Sequence, residues 1–345
     1  MALPGSGQIT AGQISDEFGR NASGNRMSLG AYRLTQNVGS LSFNGIDSGV
    51  PNSGTIRFSD FYGKRLNVVV DFHTGGTVSR VNAKNRYNGN NITVIGGFRG
   101  KKEAGSKILI HVNKTIGSAK GNQANVALRT GNWNSDVVLS VDIGSSGRLY
   151  GAGGDGGQGS DSWSDAGSTN AGSGGNGTSA LGIEHEETAV NIQSGGRIRC
   201  GFGGGGGGSG ARQVDSGADR SSCGGGGGGG AGLPAGNGGR GGNRQSGNPD
   251  EVQNGNGGSA GQLEENGEGG SGGNNADEAF GGSGGRGGDP QESPQNGNGG
   301  SPGDGSNSGS AGGNGSAIRR SNGNIVVDIT NAGDLTGDTS ATGVA

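Results

Sequence analysis

The run Gly203-Gly-Gly-Gly-Gly-Gly208 and its companion from Gly224 to Gly230 carry no side chain at any position. Around them glycine pairs recur with one other residue at every third place: Ala152-Gly-Gly-Asp155-Gly-Gly-Gln158, Asn237-Gly-Gly-Arg240-Gly-Gly-Asn243, Glu268-Gly-Gly-Ser271-Gly-Gly-Asn274 and Ser283-Gly-Gly-Arg286-Gly-Gly-Asp289. A period of three is that of the extended left-handed helix with about 3.1 Å rise per residue, which makes no internal hydrogen bonds. Its backbone groups must find partners in neighbouring chains. Only glycine lets backbones approach that closely, so the spacing predicts an ordered block of packed polyglycine II helices rather than a flexible linker. A helix enclosed on all sides tolerates no side chain, so the two uninterrupted runs are expected to be innermost. Collagen is excluded because glycine fills two positions in three, the others are rarely proline, and the tracts are short.

With 88 glycines in 345 residues, an ordinary close-packed globule is excluded for much of the chain. Its 26 basic and 29 acidic residues give a formal net charge of -3, so no field draws it to nucleic acid. The first twenty residues lack a signal-peptide pattern and no stretch approaches about 18 apolar residues, so membrane insertion is not expected and synthesis in a cytoplasm is.

Residues 1–65 read as a small module closing on Phe58-Ser-Asp-Phe-Tyr-Gly63. From 66 to about 150, β-branched runs alternate with Gly and Asn turns, predicting a β-sandwich. Residues 151–316 form the glycine block, with 178–200 returning to the β region, and 317–345 supply a closing strand. A weak repeat links VDIGSSGRLYG (Val141 to Gly151), VNIQSGGRI (Val190 to Ile198) and VDITNAGDLTG (Val327 to Gly337). Three such strand-turn-strand units are expected to form a β cap from which the block hangs. The fold class is therefore mostly β and irregular: attachment module, sandwich and glycine block, capped by short strands.

Ten glycine tracts can be counted, beginning near 152, 172, 203, 224, 236, 255, 267, 281, 297 and 312. If consecutive tracts are antiparallel, every second connection lies at the far end: about 159–171, 209–223, 244–254, 274–280 and 302–311. These loops carry Asp161, Trp163, Asp165, Arg212, Asp219, Arg220, Arg244, Asp250, Glu251, Asp277, Glu278 and Phe280. Loops exposed together on a rigid support suit a recognition surface, and Trp and Arg often carry binding energy. Trp163 and Phe280 could equally seal the end of the block. Cys200 precedes one run at its near end and Cys223 the next at its far end, too far apart for a disulfide, so two free thiols are expected.

The N-terminal module resembles a segment that opens phage virion proteins: Leu3-Pro4-Gly5-Ser6-Gly7-Gln8-Ile9 at its start and Phe58 to Gly63 at its end. The glycine region resembles the receptor-binding tip of T-even-type long tail fibre adhesins. These resemblances imply attachment to other tail or baseplate proteins through residues 1–65 and location in the virion tail. They also imply binding of an outer-membrane protein or polysaccharide through the distal loops. Phage fibres are commonly trimers, so a homotrimer stays open beside a block complete in one chain.

Chemical motifs fare poorly. Gly156 to Ser164 matches a calcium-binding nonapeptide, but that fold needs tandem copies and there is one. The stretch around Gly96 to Lys102 fails the phosphate-loop pattern, and His185-Glu186 lacks the second histidine of a zinc helix. No catalytic constellation stands out, so no enzyme, metal or cofactor is expected. A purely architectural tail or baseplate decoration remains the alternative. An ice-binding protein is a lesser one, disfavoured by Arg240, Glu268, Arg286 and Asp289 on the outward positions.

Overall fold

The computed structural model describes residues 3–18, 29–33, 35–38, 41–44, 46, 49–51, 53–73, 76–88, 105–163, 167–214, 219–245, 252–275, 279–302 and 306–345. The chain is mostly strand and irregular backbone, with two short α-helices, Ala11–Phe18 and Ala83–Asn88, among the described residues.

Among the described residues, fifteen of the strands following residue 66 form three five-stranded sheets, all parallel. The first face stacks Asn67–Phe72, Lys107–Val112, Val138–Ile143, Glu187–Ile192 and Val326–Asn331. The second stacks Val78–Ser79, Thr115–Gly117, Arg148–Tyr150, Arg197–Arg199 and Asp334–Thr336. The third stacks Val81–Asn82, Val126–Arg129, Ser179–Ile183, Ile318–Arg320 and Ala341–Thr342. The chain visits the faces in turn, so each circuit adds one rung to a three-sided parallel solenoid. The expected β-sandwich over 66–150 is thus corrected: those residues form the first rungs of a solenoid that continues to 342. Short β-branched runs bounded by Gly and Asn fit either architecture locally. What decides is that each strand pairs with its counterpart one circuit away, not with its neighbour in sequence.

Alternation fills the interior. Val68, Val70 and Phe72 align with Ile108, Ile110 and Val112, then with Leu139, Val141 and Ile143, and with Thr188, Val190 and Ile192, all buried. Val78, Ile116, Leu149, Ile198 and Leu335 stack on the second face, and Val81, Leu128, Leu181 and Ile318 on the third. The three repeat units are the third, fourth and fifth rungs. The last is offset: Ile329 pairs with Val190, while Leu335 still pairs with Ile198. A slip of two residues keeps the inward side chains inward, and the shorter corner at Ala332-Gly333 absorbs it.

The N-terminal module joins this core. Ile14, Phe18, Tyr32 and Phe61 are buried in one cluster with the solenoid interior, and Phe18 and Phe61 both meet Tyr32, the latter at 5.4 Å. Its two sequence motifs meet in space: the Leu3 amide donates to Lys64 O, and Gly63 donates to Pro4 O.

The glycine block leaves one corner of the solenoid, between the second and third faces, in two consecutive rungs. The insert after Tyr150 returns at Ser179, and the one after Arg199 returns at Ile318. It comprises ten segments, near 152–160, 171–178, 201–210, 223–231, 234–243, 253–261, 265–273, 281–289, 294–301 and 307–316, hydrogen-bonded to one another. The amides of Gly153, Gly156 and Gly159 donate to Pro234, Asn237 and Arg240, while those of Gly154, Gly157 and Ser160 donate to Phe202, Gly205 and Gly208. Each neighbour is therefore addressed at every third residue. These partners sort the segments into rows of three, four and three: second, first, fifth; tenth, third, fourth, sixth; ninth, eighth, seventh. The third and fourth segments, which hold the uninterrupted runs, each bond to six others and are buried throughout.

Candidate functional site

The far-end connections from five separate places in the chain are gathered together. Ser162–Trp163 pairs with Gly167–Ser168, Ala211–Val214 with Asp219–Ser222, and Asn274–Asn275 with Ala279–Phe280. Val252–Gln253 adds in parallel to Asp219–Ser222, and Phe280 bridges Ser301. Hydroxyls of two buried serines tie the hairpins across: Ser162 Oγ donates to Ser222 O at 3.2 Å, and Ser222 Oγ to Ala279 O at 2.7 Å. The Arg212 amide reaches Pro302 O at 3.2 Å. Small hydroxyl side chains suit this place, where the loops converge over a close-packed backbone array.

Asp161 holds the rim from within. Its carboxylate accepts both Arg240 guanidinium nitrogens at 3.0 Å, the Asn243 amide at 2.8 Å and Gln245 Nε2 at 3.0 Å. Burial alone would raise this carboxyl, but the Arg240 fork and the Asn243 amide outweigh it and hold it below the usual carboxylate range. At 8% exposure, Asp161 is an internal anchor, which corrects its assignment to the outward recognition surface. An acidic loop residue beside glycine turns reads the same in sequence whether it faces solvent or collects backbone amides.

The other expected residues fall into three groups. Phe280 is 41% exposed at the tip, Arg244 is exposed, and Arg212 and Arg220 are half-buried in the paired strands. Trp163 and Asp219 lie in tip strands, with side chains outside the described residues. Asp165, Asp250, Glu251, Asp277 and Glu278 lie outside the described residues altogether. Sequence reading missed Val214, 65% exposed at the end of its strand, and the anchoring partners Arg240 and Gln245. The β-branched residue in Ala211–Val214 was the available signal.

At the opposite end the block is clamped to the solenoid. Glu264 pairs with Arg197 and with Arg199 at 3.3 Å and accepts from Tyr150 Oη at 3.1 Å, while Arg199 also pairs with Asp334. Ser118 donates to Leu233 O at 3.0 Å, and Leu233 to Gly151 O at 2.8 Å. Cys200, at this base, and Cys223, at the tip, are both free and buried; burial pushes the Cys200 thiol up to about 12 and raises that of Cys223. His111, on the outer side of the first face, is buried with Nδ1 2.9 Å from Asp142 Oδ2. Among the described residues no cluster of His, Cys, Asp or Glu has the arrangement of a metal site.

A mostly-β body carrying a hydrogen-bonded array that ends in gathered loops is a scaffold built to present a tip. Residues 76–340 match phage tail fibre adhesin Gp38, and with most of its length covered the chain belongs to that family. It is a bacteriophage tail adhesin, with the virion tail as its location and a host receptor and other tail proteins as its partners. Comparison with curated proteins gives no match, and neither does comparison with solved structures. No helix among the described residues is long and apolar enough to cross a membrane.

Proposed function

We propose that the ten segments are polyglycine II helices in hexagonal packing, and that the loops at their far end bind a receptor on the bacterial surface, an outer-membrane protein or polysaccharide, without catalysis. The helix reading is supported by the three-residue donor period and by the six hydrogen-bonded neighbours of each inner segment. At about 3.1 Å per residue, a nine-residue segment lifts the tip roughly 25 Å above the solenoid. The observation that carries the binding reading is the convergence of five connections, far apart in sequence, on one end. Most lattice bonds below that level join backbone groups, so loop side chains can change without disturbing the array. The amphipathic set of Val214, Phe280, Arg212, Arg220 and Arg244 suits a partner with both apolar and anionic surface. Residues 1–65 join the protein to other tail components, and the family match, which begins at residue 76, leaves that role to the resemblance of their motifs.

The test is competition for adsorption. Purified protein should block phage attachment to its host, and Phe280→Ala with Arg244→Ala should weaken blocking while leaving the thermal transition of the array in place. Unchanged blocking by that variant would remove these residues from the interface. Failure of the folded wild type to block on a susceptible host would favour the architectural reading.

A further inference from the structure

Eight Asn-Gly pairs lie within the described part of the glycine array: 176–177, 237–238, 254–255, 256–257, 266–267, 296–297, 298–299 and 314–315. Asparagine is thermolabile, and the reaction responsible needs a mobile backbone nitrogen on the next residue. That nitrogen attacks the asparagine Cγ, a C–N bond closes the succinimide ring, and ammonia leaves. Water then opens the ring at either carbonyl, giving aspartate or an isoaspartyl link, with no oxidant or reductant involved. Glycine offers the least hindered nucleophile, so the amide's hydrogen bond becomes the control.

The lattice divides the eight pairs on that criterion. Gly177 donates to Gly313 O, Gly255 to Gly242 O, Gly267 to Gly229 O, Gly297 to Gly309 O and Gly315 to Gly201 O, at distances from 2.7 to 3.1 Å. The amides of Gly238, Gly257 and Gly299 have no acceptor among the described residues. Exposure of the asparagines does not explain the division, because all but Asn266 are exposed, but their carbonyls follow it: Oδ1 of Asn176, Asn254, Asn296 and Asn314 accepts a backbone amide of a neighbouring segment or loop. Two of the contrasts are built into single segments: Asn254 against Asn256, and Asn296 against Asn298. Asn256 and Asn298 also give Nδ2 to Ser271 and Ser283, at 2.7 and 2.6 Å, whereas the Asn237 side chain makes no hydrogen bond among the described residues and its backbone amide donates to Asp155 Oδ1 at 2.7 Å.

We propose that Asn237, Asn256 and Asn298 are sites of spontaneous deamidation in the folded protein, and that the lattice protects the other five. The isoaspartyl product adds one carbon to the backbone. Beyond Asn237 it would put the amides of Gly239 and Gly242 out of step with their acceptors Gly227 and Gly224. Beyond Asn298 it would displace Ser301, which exchanges two hydrogen bonds of 2.8 Å with Phe280 at the tip. Ageing would therefore loosen the array from its outer segments and reach the loop surface through residue 298.

The experiment incubates the purified full chain at mildly alkaline pH and follows each Asn-Gly pair by peptide mass spectrometry, with fragmentation that separates aspartyl from isoaspartyl products. Native protein should convert at 237, 256 and 298 at least about tenfold faster than at the other five, the ratio given by 1.4 kcal/mol of protection. The same chain in denaturant should convert at all eight at similar rates. Equal rates across the eight pairs in native protein, or faster conversion at a bonded pair, would overturn the proposal. Persistence of the same ranking in denaturant would also overturn it, since local sequence and not the lattice would then set the rates.

Discussion

Replacing Gly227 by alanine tests the enclosed array directly. A Cβ built on Gly227 would lie 2.6 Å from the Gly205 carbonyl carbon, closer still to its oxygen, and 2.9 Å from Gly206 O. Ordinary contact would require the third and fourth segments to part by roughly 1 Å. The bonds that join these two segments are short: Gly205 N to Gly228 O and Gly208 N to Gly225 O, both at 2.8 Å. A 1 Å displacement takes such bonds beyond useful length, about 3.5 Å. Two buried pairs left unsatisfied, at about 1–3 kcal/mol each, amount to a loss of about 2–6 kcal/mol, a large part of ordinary domain stability. Gly299→Ala is the contrast, since its Cβ would meet nothing nearer than Ser209 Oγ at 4.0 Å. Reducing the freedom of the unfolded chain there should stabilise by about 0.4–1 kcal/mol. For a unit of this size the two variants should move the array's melting point in opposite directions, down by roughly 5–20 °C and up by roughly 1–4 °C. Because solenoid and array need not unfold together, the transition needs a local probe. Trp163, in a tip strand, serves in a Trp133→Phe background, since the chain has only 2 tryptophans. Equal shifts for the two variants would refute the enclosed position of Gly227.

Other expectations follow from the anchors and the clamp. Asp161→Ala should lower the stability of the tip by about 1–3 kcal/mol, the value for charged hydrogen bonds, tempered because Arg240 is half exposed; slowed rather than accelerated exchange of the Asn243 amide would contradict it. Asp142, Asp161, Glu264 and Asp334 are all held below their ordinary values, after burial that alone would raise each is outweighed by hydrogen bonds and cationic neighbours. Their contribution is full above the unfolded carboxyl range near pH 4 and is lost as pH falls through the lower folded values, so melting points should drop on acidification. A flat profile from neutral pH to pH ~3 would be the contrary result. Glu264→Gln should reduce that acid sensitivity at the base of the array while leaving the tip amides protected, as hydrogen exchange would report. Neither thiol should react with an alkylating reagent in native protein, and both should after unfolding; rapid native labelling of Cys200 would show that the base is open.

Legibility in the sequence followed the range of the interactions. The array could be read because its constraint is steric and strictly local: a neighbour on every side forbids every Cβ, and the positions of Gly203 to Gly208 and Gly224 to Gly230 announce it. Antiparallel alternation then fixed which connections would meet at the tip. The solenoid could not be read from its strands alone, because KILIHV and DVVLSVDI carry the same alternation in an antiparallel sandwich. Its one signature was the recurrence of VDI and VNI units with a large insert between them, which marks circuits of a solenoid as much as a cap. The distinction rests on pairing between Ile143, Ile192 and the offset Asn331, across gaps that no short window spans. Within the site, chain position located the loops, but the direction of Asp161 depended on amides of residues 240–245 brought in by a different segment.

The two inserts share a corner for a mechanical reason. A glycine segment has few side chains with which to grip a foundation, so the array must inherit its orientation from the backbone that enters it. Gly151 N bonds to Arg199 O, and Gly201 N to Thr178 O, so the first and third segments leave adjacent rungs already paired. Those adjacent rungs fix the spacing of the first, second and third segments where they enter the array, and the fourth segment bonds to the first and third on that frame. Side chains reinforce the backbone lattice at the base turn, where Glu264 grips Arg197 and Arg199, and at the tip, where Asp161 gathers the rim. A variant that keeps the lattice but loses Glu264 should therefore retain a folded tip on a less firmly oriented stalk, and adsorption should fall further than the stability of the array.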